Sequence, residues 1–106
     1  SSTLEVYNST FDGNVGSTYG ALVSEDAHFN IVESTFVNNQ CLGVGNQQGG
    51  AMFLGGSVGN ITDCLLSNNA AGSGGAIFVD NCDVDLSGSL FQGNSALESG
   101  GGVYCS

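Results

Sequence analysis

Residues 66–79 read LSNNAAGSGGAIFV: a bulky apolar residue, Asn69 three positions later, a run of small residues, then Gly74-Gly75-Ala76 opening onto Ile77-Phe78-Val79. The same device occurs four times. Phe11, Phe36, Leu66 and Phe91 each stand three positions before Asn14, Asn39, Asn69 and Asn94. The chain then reaches Tyr19-Gly20-Ala21, Gly49-Gly50-Ala51, Gly74-Gly75-Ala76 and Gly100-Gly101-Gly102. The apolar positions are spaced by 25, 30 and 25 residues. Self-similarity at such a period means stacked units that share one continuous core.

Within each unit the pattern is that of strands. Leu4-Glu5-Val6 alternates apolar and polar residues, and the alternation returns at Phe29-Asn30-Ile31, Gly59-Asn60-Ile61 and Val84-Asp85-Leu86. Aligned on the Phe/Leu column, Val6, Ile31, Ile61 and Leu86 form an inward ladder, while Glu5, Asn30, Asn60 and Asp85 point outward. Leu22-Val23, Met52-Phe53-Leu54, Ile77-Phe78-Val79 and Val103-Tyr104 supply a second strand. The Gly pairs let the backbone bend sharply before it. Eighteen Gly, no Pro and no sustained 3.6 period disfavour helix. The recurring Asn predicts a ladder of side-chain amides that satisfies main-chain groups at one turn, a residue that also tolerates left-handed backbone. The turn from Gln40 to Gln48 is longer than its counterparts by about five residues, a surface insertion of the kind where repeat proteins often bind. It is polar, rich in Gly and poor in chemistry.

Composition narrows the function. There is no Lys or Arg, where an average chain of this length has roughly a dozen, and ten Asp and Glu give a formal charge of −10. Neutralising nucleic-acid phosphates or docking on anionic lipid needs cations, so neither partner is expected. The charge favours solubility and association with cations such as Ca²⁺. No run of eighteen apolar residues is present, so no membrane insertion by this segment is expected. The chain begins mid-unit without Met, which reads as a single segment of something longer. Coils are expected at about 4–24, 25–54, 55–79 and 80–105. Like residues over like at about 4.8 Å would make a short rod with open sheet edges at both ends, to be capped or stacked upon.

The F-x-x-N turn followed by G-G-A and an apolar residue resembles the repeats of the polymorphic outer-membrane proteins of chlamydiae. It is similar also to the right-handed parallel β-helix repeats of bacterial adhesins and of large secreted proteins of protists and algae. Phe11/Asn14, Phe36/Asn39 and Phe91/Asn94 match outright, as do Gly49-Gly50-Ala51-Met52 and Gly74-Gly75-Ala76-Ile77; Leu66, Tyr19 and Gly102 depart. The resemblance implies an all-β fold, a right-handed parallel β-helix of about four coils with two or three strands each, and passenger-domain or surface-fibre duties.

Parallel β-helix lyases resemble one another in using Arg or Lys beside Ca²⁺, and this chain has neither. Asp80, Asp83 and Asp85, with Asn81, form the one acidic cluster worth naming; a weak Ca²⁺ site is its sharper reading, a glycosidase pair a remote one and a solvated face the plain one. His28 stands alone beside Phe29 and is expected to face solvent, with no nearby Ser and Asp to make a triad. The Gly runs lack the Lys of a phosphate-binding loop. Asn8 and Asn60 lie in glycosylation sequons, and with eleven Asn and nineteen Ser or Thr about two would arise by chance. Asn60 lies in the outward column. Cys41 and Cys64, like Cys82 and Cys105, are 23 residues apart, about one coil, which admits two disulfides in an oxidising compartment. Equally, Cys64 fills an inward position held by Ser9, Ser34 and Ser89.

The sequence therefore points to a non-enzymatic structural segment of an extracellular or cell-surface β-solenoid, in a filament, appendage or surface layer. It would have no cofactor unless Ca²⁺, and its partners would be copies of itself, other subunits or glycans. The alternative is an adhesin passenger of autotransporter type that binds a receptor or carbohydrate. Part of a carbohydrate-active enzyme ranks lower, as does an ice-binding solenoid, because Leu65 and Leu90 interrupt the Thr10 and Thr35 column.

Overall fold

The computed structural model describes residues 2–16, 19–41, 48–81 and 83–105, with the backbone alone at 2, 98, 99 and 105. Among these residues there are sixteen short strands and no helix. The first coil holds β1 (Ser2–Tyr7), β2 (Thr10–Asp12), β3 (Val15–Gly16) and β4 (Leu22–Glu25), and the second β5 (Ala27–Val32), β6 (Thr35–Val37), β7 (Gln40–Cys41) and β8 (Met52–Gly55). The third holds β9 (Val58–Thr62), β10 (Leu65–Ser67), β11 (Ala70–Ser73) and β12 (Ile77–Asp80), and the fourth β13 (Asp83–Ser87), β14 (Leu90–Gln92), β15 (Ser95–Ser99) and β16 (Val103–Cys105). Every fourth strand joins the same sheet, giving β1-β5-β9-β13, β2-β6-β10-β14, β3-β7-β11-β15 and β4-β8-β12-β16. All the pairings are parallel. A chain that visits four sheets in turn and returns beside its own previous strand is a parallel β-helix.

Each coil thus has four strands, where two or three were expected. The additional ones, β3, β7, β11 and β15, occupy the small-residue stretch that reads as a turn in sequence. Ala70, Ala71, Ser95 and Ala96 carry little β-propensity, and what makes them strands is the ladder from the neighbouring coil.

Register follows the sequence columns. Phe11, Phe36, Leu66 and Phe91 lie directly over one another. Phe36 and Leu66 are fully buried, and the Phe11 and Phe36 rings stack with centroids 4.6 Å apart and planes 1° from parallel. Val6, Ile31, Ile61 and Leu86 form the expected inward column. Ile31 and Ile61 are fully buried, while Leu86, on the last rung, is 40% exposed. Met52, Leu54, Ile77 and Val79 close the core from the fourth sheet.

Four corners turn the coil, and every described residue with positive φ sits at one of them. Asn8, Glu33, Asp63 and Gly88 turn the first sheet into the second, and Gly13, Asn38, Asn68 and Gly93 turn the second into the third. Gly49, Gly74 and Gly100 lead into the fourth sheet, and Asp26, Gly56 and Asn81 lead back to the first. The left-handed residue thus immediately precedes the recurring Asn and is not that Asn itself. At Gly74 a Cβ would meet the Ile77 carbonyl oxygen at 2.4 Å, so both the angle and the close approach require glycine.

Glu33, at φ 50, is the one such residue that is neither Gly, Asn nor Asp, and the left-handed conformation costs a long side chain about 1 kcal/mol. Glu33→Asn should therefore raise stability by about 1 kcal/mol in urea denaturation, with m unchanged.

Candidate functional site

The recurring Asn residues form a continuous hydrogen-bonded ladder. The Asn39 Oδ1 accepts from both the backbone N–H and the Nδ2 of Asn14 at 3.0 Å. Asn69 does the same for Asn39 at 3.0 and 3.1 Å, and Asn94 for Asn69 at 2.9 Å. Each Nδ2 also reaches back to the carbonyl of the apolar column one coil earlier: Asn39 to Phe11 at 2.9 Å, Asn69 to Phe36 at 3.0 Å and Asn94 to Leu66 at 2.9 Å. Asn39 and Asn69 are fully buried, and no buried side-chain nitrogen or oxygen among the described residues lacks a partner. The columns are architecture, as four equivalent copies imply.

A second ladder runs along the serine column. The Ser9 N–H donates to Ser34 Oγ, and the Cys64 N–H to Ser89 Oγ, both at 3.2 Å. The Cys64 thiol donates to the Thr62 and Ile31 carbonyls at 3.4 and 3.5 Å. Cys64 therefore takes the place of a serine.

The expected Cys41–Cys64 disulfide does not form, and both are buried free thiols. Cys41 lies in the third sheet, in register with Gly16, whereas Cys64 sits at the corner between the first and second sheets. The insertion lengthens the second coil to 30 residues, so a step of 23 from Cys41 falls short of its own column. Cys82 and the side chain of Cys105 lie outside the described residues, as do residues 42–47 of the insertion.

One ladder is not legible in the motif columns. Tyr19, Phe53, Phe78 and Tyr104 stack on the outer face of the fourth sheet, with centroids 4.3, 5.6 and 4.8 Å apart. Phe53 and Phe78 are only 6% exposed. The signal lay in Met52-Phe53-Leu54 and Ile77-Phe78-Val79, unbroken apolar runs of the kind found in strands buried on both faces. Tyr19, which replaces the first Gly of its pair, adds the first ring.

The candidate chemistry lies on exposed surface. Asp80, Asp83 and Asp85 are all exposed. No group of three His, Cys, Asp or Glu among the described residues is gathered so as to hold a metal ion. His28 is exposed on β5, in register with Thr3 and Val58. Asn60 is exposed mid-strand between Asn30 and Asp85, and Asn8 is exposed at a left-handed corner. On the same outer face the Tyr7 hydroxyl donates to Glu5 at 2.9 Å, a bond that raises its pKa, and accepts from Asn30 Nδ2 at 3.2 Å. Thr10, Thr35, Leu65 and Leu90 do share one column.

The fold and ladders define a parallel β-solenoid repeat protein. Two stretches, residues 63–80 and 88–106, match the Chlamydia polymorphic membrane protein (Chlamydia_PMP) repeat. Each match runs from the corner before the second sheet, through the apolar-x-x-Asn turn and the Gly-Gly turn, to the strand of the fourth sheet. The chain thus carries β-helix repeats similar to those of that family. No curated protein and no solved structure matches the chain.

Asn69→Ala should cost about 2–4 kcal/mol, because it strips partners from buried donors and acceptors on two coils. Asn94→Ala, on the last rung, should cost about 1 kcal/mol; chemical denaturation of both variants checks the gradient. Burial pushes the Cys64 thiol above its ordinary range. Its contribution to stability is present below that range and is lost as pH rises through it, since the unfolded thiol then ionises first. Melting temperature should fall above about pH 8.5, and Cys64→Ser should keep the fold while flattening part of that fall.

Proposed function

We propose that the chain is a non-enzymatic, surface-displayed segment of an extracellular β-solenoid protein, of adhesin-passenger type. The observation that carries this reading is the match of the last two coils to a membrane-protein repeat of chlamydiae, in a fold whose conserved-by-repetition residues are all spent on ladders. Identical rungs give a stiff scaffold, and the outward positions, which differ from coil to coil, are left for contacts. Glycans on Asn8 or Asn60 would decorate outward positions without touching the core. A role in a filament or surface layer shares this scaffold and differs in its partners.

Antibodies raised against residues 1–106 should label intact, unpermeabilised cells that make the protein. Labelling seen only after permeabilisation overturns the reading. Electron microscopy of labelled cells then separates a filament from dispersed adhesins.

A further inference from the structure

We draw no further inference here: the strongest candidate, the apolar rung of the fourth coil, where Leu86 is 40% and Val103 37% exposed, carries nothing because nothing in the structure shows what covers it.

Discussion

The structure depends on the asparagine ladder. A corner buried on one side must give its backbone N–H and carbonyl groups partners, and neither strand pairing nor water supplies them all. An asparagine there presents both an acceptor and two donors. Its oxygen takes two hydrogens from the coil before, and its nitrogen answers the Phe-column carbonyl of that same coil. Gln would be one methylene too long for this, and Asp would lack the donor. Each rung is satisfied only if its neighbour carries the same residue at the same height, so the ladder fixes the register of the second and third sheets together. A slip of one residue would break the amide bonds and turn the Phe column outward in one step.

With register fixed, the corners can be cheap and the turns variable. Small or left-handed-tolerant residues occupy the turning points, and those of one column crowd one another: a Cβ on Gly88 would lie 2.3 Å from Asp63 Oδ1, and one on Gly93 2.5 Å from Asn68 Oδ1. Each glycine leaves room for the acidic or amide side chain of the coil below. Residues 42–47 enter between β7 and β8 without disturbing either column, since Gln40 still pairs with Ala70 and Met52 with Ile77. Long insertions are tolerated where both ends are pinned by ladders.

Much of this was legible in the sequence because the information is repeated. Four copies of Phe-x-x-Asn announce a column, and the alternation of Glu5, Asn30, Asn60 and Asp85 with apolar neighbours gives their outward face. The strands β11 and β15 were not legible, because their Ala and Ser residues owe their extended state to the coil beside them, and β3 and β7 were not because they are only two residues long. Cysteine spacing misled for a related reason: 23 residues approximates a coil of 25, but columns are matched residue by residue, and from Cys41 the coil that carries the insertion is 30 residues long, so Cys64 stands in a different column. The aromatic stack is not legible in the motif columns because Tyr19 lies outside the strand of its own coil that joins the fourth sheet.

A scaffold whose columns are fixed concentrates variation on the outward positions, and charge shows how this chain uses that freedom. Its described carboxylates lie at corners and on outer faces, where water screens them. Charges placed so contribute little to stability. They act instead on what approaches, because a surface with no cation presents one sign of potential in every direction. Selectivity then cannot come from the sign alone, and must come from the arrangement of the outward side chains. Adjacent strands space their side chains at about 4.8 Å and successive outward residues of one strand at about 7 Å. A parallel β-helix thus supplies a two-dimensional grid, and the ladders that hold its core in register also keep that grid true on its surface.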